Sequence, residues 1–206
     1  MKKYSTGAFE SEKDTRTVQL SADLAGEPLV TGGITYLPTD IEDQHRVGIC
    51  TAISRVQLRE KQTGEKYSPD FQYLLQKKFY DMNWTEGSSV LCANKVAKNF
   101  GFLPLGLFPY VTEEDRFLSY NEYIKKLQAI PDDEIRRLMM FCVDKIAGYA
   151  QIDSRDPQAI AKAIIESPQQ AGILCRYGCQ SNWWTAPVDP LRWKPETSGH
   201  AIINSW

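Results

Sequence analysis

Long apolar runs are missing from this 206-residue chain, and so is any strong excess of charge. No stretch approaches the roughly 20 apolar residues that a membrane-spanning helix needs. Lys and Arg number 24 and Asp and Glu 26, a formal net charge of −2. That balance gives no electrostatic footprint for nucleic acid or an anionic membrane, so neither is expected as a partner. Met1-Lys2-Lys3 is basic, but polar residues follow it, and a signal-peptide core is not expected. Repeats and low-complexity segments are absent. Histidine is scarce: His45 and His200 are the only two, so any imidazole chemistry must use one of them.

The five cysteines are Cys50, Cys92, Cys142, Cys175 and Cys179. An odd number leaves at least one unpaired or paired with another chain. Their spacings form no zinc pattern. If Cys175 and Cys179 share a strand they stand about 13 Å apart, too far for a disulfide unless Gly178 turns the chain. Reduced thiols are therefore expected, and with them a reducing, cytoplasmic compartment.

What is present is a well-mixed composition, 42% hydrophobic and 24% charged, which suits a soluble core. Residues 1–28 are rich in Ser, Thr, Lys, Glu and Gly and read as a partly disordered extension. A helix is predicted to start at Cys50 and stop at Thr63-Gly64. Ser68-Pro69-Asp70 signals a second start, with Phe71, Leu74, Leu75 and Phe79 as the buried stripe. Gly87-Ser88-Ser89 opens a third helix, with Val90, Ala93, Ala97 and Phe100 inward and Gly101 as its end. A fourth covers about Tyr120–Gln128, and Pro131-Asp132-Asp133 starts a fifth. Lys145–Ile152 then reads as a strand. Asp156-Pro157 caps a short helix with Ile160, Ala163 and Ile164 inward. Ala171–Tyr177 and Gly199–Ile203 read as further strands. Asn182–Pro195, with three tryptophans and three prolines, should be an ordered loop. Helices first and strands later imply an α+β fold.

The chemistry centres on Cys50. A cysteine at a helix start is more often a small apolar filler than a nucleophile. Three neighbours favour the nucleophile here. Gly48 permits a tight approach, Gln44 can donate a side-chain hydrogen bond near the sulfur, and Cys50 itself begins the helix. Its N–H then has no intrahelical partner. A free N–H with one amide side chain makes an oxyanion hole. The helix dipole and a nearby imidazolium both favour the thiolate, so a pKa well below the free value is expected. His200 follows a glycine at the start of a strand and suits a base facing a cleft. His45 sits on a loop expected to be wet.

Gln44, Cys50, His200 and the closing Asn204-Ser205-Trp206 together resemble the papain-like cysteine peptidases. The resemblance implies a two-lobed α+β fold within residues 29–206. A helical lobe over about 40–115 and a lobe of antiparallel sheet or barrel over about 116–206 would have the cleft between them. It implies Cys50 as nucleophile, His200 as base and Gln44 as oxyanion donor. Asn204 would orient the base, and Trp206 would shield that contact. Gly87 and Ser88 would line the substrate groove, together with Gly199. The implied activity is peptide-bond hydrolysis on a peptide or protein substrate. No cofactor or metal would be needed, and a protein or peptide inhibitor could occupy the cleft.

The sequence departs from the family at several places. Val47 replaces a second cysteine three before the nucleophile, Ile49 a serine before it and Thr51 a tryptophan after it. Only three residues separate His200 from Asn204. On one strand that spacing puts them about 13 Å apart, where a hydrogen bond needs about 3 Å. A hairpin between Ile203 and Asn204 is therefore expected. Two other readings use the same residues: an acyl or glutamyl transferase with an amine replacing water, and an inactive relative that binds peptides.

Overall fold

The computed structural model describes residues 7–9, 11, 18–20, 42–153, 155–166, 173–178 and 199–204. Its elements run β1 (Ala8–Phe9), β2 (Val18–Leu20), α1 (Cys50–Thr63), α2 (Pro69–Gln76), β3 (Ser88–Ser89), α3 (Val90–Asn99), α4 (Tyr120–Gln128), α5 (Asp132–Met139), β4 (Ala150–Ile152), α6 (Pro157–Ile165), β5 (Ile173–Gly178) and β6 (Gly199–Asn204). Helix and strand are mixed, as the sequence pattern predicts. The segment read as an extension contributes two short strands. β1 pairs in parallel with β3, and β2 in parallel with β4. β5 and β6 form an antiparallel pair. Among the described residues no strands close into a barrel, and no helix is long and apolar enough to cross a membrane.

Local chemistry explains most boundaries. The Ser68 side chain accepts a hydrogen bond from the Phe71 N–H at 3.1 Å, and Pro69 fills the first helical position of α2. Ser89 caps α3 in the same way, accepting from the Cys92 N–H at 3.1 Å. Ser88 and Ser89 are extended, however, so α3 opens at Val90 rather than at Gly87. Ser119 and Glu122 form a capping box on α4.

Three expectations need correction. Phe79 is 39% exposed, although it was expected on the buried stripe with Phe71, Leu74 and Leu75. The cause is one π-helical turn, Lys77–Asp81, whose wider winding rotates the residues after α2 off the stripe. The strand predicted over Lys145–Ile152 begins only at Ala150. Asp144, held by Tyr67 and Arg59, takes a positive φ of 56° and breaks the extended path. In α6 the buried residues are Ala159, Ala161 and Ile164, so the inward face is rotated from Ile160 and Ala163. The loop Asn182–Pro195 lies outside the described residues.

One apolar cluster holds the helices together. Val47, Ile49 and Ile53 meet Phe71, Leu74 and Leu75 from α2 and Val96 from α3. Tyr123, Ile124 and Leu127 of α4 and Ile135 and Leu138 of α5 join the same cluster. Burying one such side chain stabilises the fold by about 1.5–3 kcal/mol. Val47 and Ile49 therefore fix both ends of the short run that leads into Cys50.

Candidate active site

The start of α1 sits under β6. The Ala201 N–H donates to Cys50 Sγ at 3.4 Å, and the Ala201 carbonyl accepts from Ser54 Oγ at 2.7 Å. Ser54 is one turn beyond Cys50, on the same helix face. The two bonds clamp one residue of β6 to that face, and His200 is the adjacent residue on that strand. Ser54 was not singled out in the sequence. A hydroxyl four residues after a candidate nucleophile is the signal that could have found it.

Gln44 is buried, on the loop before α1. That loop is anchored by Arg116, a residue the sequence pattern did not mark. Arg116 Nη1 donates to the Asp43 carbonyl at 3.2 Å, and the Arg46 N–H donates to the Arg116 carbonyl at 3.0 Å. The Arg116 guanidinium also grips Asp70 at the start of α2, through Nε at 3.2 Å and Nη2 at 2.8 Å. Tyr123 Oη donates to the same carboxylate at 2.8 Å. His45, expected on a wet loop, is half-buried. Its ring stacks on Phe117 with centroids 3.8 Å apart and lies 3.3 Å from a Glu113 carboxylate oxygen.

Glu42, beside this anchor, is pushed up to about 7, chiefly by burial and against the pull of Arg116. Its folded pKa thus lies above the ordinary 4.5. The protonated carboxyl favours the fold at low pH, and that contribution is lost as pH rises through about 7. Glu42→Gln, which keeps the neutral form, should therefore stabilise the protein by about 1–3 kcal/mol at pH 8 and change little near pH 4. Urea unfolding at the two pH values measures this. An equal effect at both would exclude titration of Glu42 as the cause.

The electrostatics of Cys50 differ from the sequence expectation. Burial pushes its thiol above the ordinary 9.0, while the backbone N–H groups of Ala201, Gly7, Thr51 and Cys50 itself pull it down. Burial also lowers His200 below 6.5. Both shifts run toward the neutral thiol and the neutral imidazole, the opposite direction from the lowered thiol expected from the sequence. α1 still offers the positive end of its dipole, with no acidic residue in its first turn.

The chain's own N-terminal segment contributes to this burial, together with Ala201 and Val90. The Gly7 carbonyl accepts from the Ser88 N–H at 2.7 Å, and the Ala8 carbonyl accepts from Arg176 Nε on β5 at 3.1 Å. Ala8 packs with Cys50 and Ala201. Contact with Gly48 is so close that a Cβ on Gly7 would stand 2.0 Å from the Gly48 carbonyl oxygen. Gly87 and Ser88 thus lie against the Gly7–Phe9 segment beside Cys50. Gly87 adopts φ 93°, and a Cβ there would lie 2.5 Å from the Gly7 carbonyl oxygen, so only glycine fits. Val47 stands where the family resemblance places a disulfide cysteine. A different tie joins the two walls, from the Gly48 N–H to Glu86 Oε1 at 2.9 Å.

The C-terminal expectations fare differently. β6 is one continuous strand, with Ile203 opposite Leu174 and Asn204 opposite Ile173. The hairpin expected between Ile203 and Asn204 is therefore not there. The two are successive residues of one strand, so Asn204 shares the strand of His200 instead of lying on a neighbouring one. His200 and Asn204 stand about 13 Å apart along it. Gly199, opposite Gly178, forms the end nearer His200. Trp206 lies outside the described residues, as does Cys179; the other four cysteines are free thiols. Among the described residues, no group of three His, Cys, Asp or Glu side chains could hold a metal ion.

The solved structure of xylellain, a cysteine protease from Xylella fastidiosa, is similar to this one at a TM-score of 0.67. The chain has a cysteine-protease fold. The alignment covers 97% of this chain and 78% of xylellain at 18% sequence identity. No protein-family model matches the sequence, and no curated protein matches it. In this cysteine-protease fold the thiol candidate lies at the start of α1, where its backbone donors converge on the sulfur.

Proposed function

We propose that this protein is a papain-like cysteine peptidase, with Cys50 as nucleophile and His200 as base. The observation that carries the reading is the strand in the groove. An extended piece of polypeptide, Gly7–Phe9, lies between β3 and Arg176 of β5, with its backbone against Cys50 Sγ. A groove that holds one extended peptide by its backbone is built to hold another. In this reading the helical part, joined by α4 and α5 beyond the expected boundary at about 115, forms one side of the cleft, and the β5–β6 pair forms the other. The substrate is a peptide or protein segment, and the resident strand is a built-in peptide inhibitor.

Once the groove is free of residues 7–9, water and substrate replace the apolar cover on the thiol. His200 takes the proton from Cys50, and the thiolate attacks the substrate carbonyl carbon. The Cys50 N–H and the Gln44 side chain stabilise the oxyanion. His200 then gives its proton to the leaving amine, and a water activated by His200 releases the acyl group from sulfur. Asn204 takes no part, because the continuous strand carries it away from the ring.

Gln44→Ala tests the oxyanion assignment. Loss of one such donor should lower kcat roughly 10²–10³-fold with a small change in KM, because the donor matters most when charge forms on the oxygen. Steady-state hydrolysis of a fluorogenic peptide measures both constants. A change confined to KM would remove Gln44 from the oxyanion hole. An acyl-transfer product formed in preference to hydrolysis when an amine is added would favour a transferase.

A further inference from the structure

The groove wall contains a buried ammonium group that the mechanism above does not use. Lys77, the first residue of the π-helical turn, is fully buried. Its three N–H donors all have acceptors. Nζ donates to the Gly87 carbonyl at 2.6 Å, to Asp81 Oδ2 at 2.9 Å and to Asn83 Oδ1 at 3.5 Å. Asp81 supplies the countercharge. Taking an ammonium out of water is costly, and an apolar side chain of the same length would fill this space without that cost. Packing alone therefore does not account for a lysine here.

The arrangement around Gly87 suggests what does. The Gly87 carbonyl and the Ser88 N–H are the two ends of one planar trans peptide unit. Lys77 Nζ donates to the carbonyl end, and the N–H end donates to the Gly7 carbonyl in the groove. A continuous hydrogen-bonded chain thus runs from a buried cation, through one peptide, to the groove's occupant. A charge on the carbonyl end polarises the peptide and strengthens the donor at the other end. Neighbouring hydroxyls hold the adjoining backbone. The Gly87 N–H donates to Tyr73 Oη at 3.1 Å, and Tyr120 Oη donates to the Thr85 carbonyl at 3.0 Å.

We propose that Lys77 is a positioning residue of the groove: it orients and polarises the Gly87–Ser88 peptide so that the Ser88 N–H grips a backbone carbonyl of the bound chain. The bound chain is the resident segment in the closed protein and a peptide substrate in the open one. The inference rests on the peptide-groove reading of the proposed function.

The Ser88 amide of the full-length protein, followed by NMR, tests it. Lys77→Met removes the charge at nearly equal length. The Ser88 amide proton should move upfield and exchange about 10–100-fold faster, because the Gly87 carbonyl loses its charged donor and keeps only the longer bond from Tyr73 Oη at 3.4 Å. The amides of Val56 in α1 and Val96 in α3 should exchange as in the wild type. Lys77→Met leaves Asp81 buried without its partner, so Lys77→Met/Asp81→Asn is measured beside it. The same change at Ser88 in the double variant, with the core amides still protected, supports the proposal. A Ser88 resonance and exchange rate at wild-type values in either folded variant overturns it. Failure of both variants to fold also overturns it, since Lys77 would then be a requirement of the core. None of these readouts needs turnover. A protein that hydrolyses no peptide would sink the peptidase reading, while the Ser88 result would still decide the role of Lys77.

Discussion

Replacing Cys50 with alanine is expected to abolish peptide hydrolysis while leaving the fold intact. The thiol lies at the start of α1, with the N–H groups of Ala201, Gly7, Thr51 and Cys50 itself directed at the sulfur. No other cysteine among the described residues stands at the start of a long helix in a groove that holds a peptide. Cys142 lies beyond α5, and burial pushes its thiol up to about 12. Cys92 is in the first turn of α3, where its N–H is spent on the Ser89 cap. Loss of a nucleophile of this kind costs about 10⁴-fold or more in kcat. The stability cost should stay near 1 kcal/mol, since one buried sulfur atom is removed. The comparison requires kcat on a peptide substrate together with the thermal midpoint of both proteins. Wild-type turnover by a folded Cys50→Ala protein would show that the chemistry is elsewhere.

Gly7→Val should have an effect of the opposite sign. Gly7 is the point of closest approach between the resident segment and the wall of the groove. A Cβ there would stand 2.0 Å from the Gly48 carbonyl oxygen and 2.4 Å from its carbon, both backbone atoms. A valine has no room, and the segment must leave. Overpacking of this kind costs about 1–3 kcal/mol, enough to shift occupancy of the groove roughly 10–100-fold. Two consequences follow for Cys50. The sulfur becomes accessible, and the burial that pushes its pKa above 9.0 is relieved. Alkylation by iodoacetamide at pH 7 should therefore speed up about 10–100-fold over the intact protein. In the intact protein alkylation should rise steeply only at alkaline pH, because the folded thiol holds its proton beyond the ordinary range. A synthetic peptide spanning Ser5–Ser11 should slow the reaction of the variant again. Equal alkylation rates for Gly7→Val and wild type would show that the segment does not guard the thiol.

The parts of the site that rest on local chemistry were legible in the residues. Gln44, Gly48 and Cys50 lead into a helix whose start and stop follow from cap and glycine signals, and α1 ends at Thr63 as its sequence implies. Gly87 adopts a positive φ that glycine takes without strain, and Ser88 follows it in a short strand. His200 starts a strand of β-branched residues, and that strand is β6. The direction of the Cys50 shift was not legible locally. A helix dipole acts over one turn and can be read from the chain, whereas the burial that raises the thiol comes from packing with residues distant in sequence, Ala8 and Ala201 among them.

The amino-acid sequence by itself determined the mixed helix and strand architecture, the caps, and the presence of one nucleophile candidate at a helix start. Each depends on neighbours a few residues apart. Only the tertiary structure decided what those residues meet. Ser54 and Cys50 hold Ala201 across 147 and 151 positions of chain. Arg116 anchors the Gln44 loop to Asp70. Lys77 reaches Gly87 from a π-helical turn that no periodicity announced. The strand register put Asn204 in line with His200 rather than beside it. Such contacts join residues distant in sequence through packing and hydrogen bonds. Hydrophobic period and capping signals carry no information about which distant groups will be brought together.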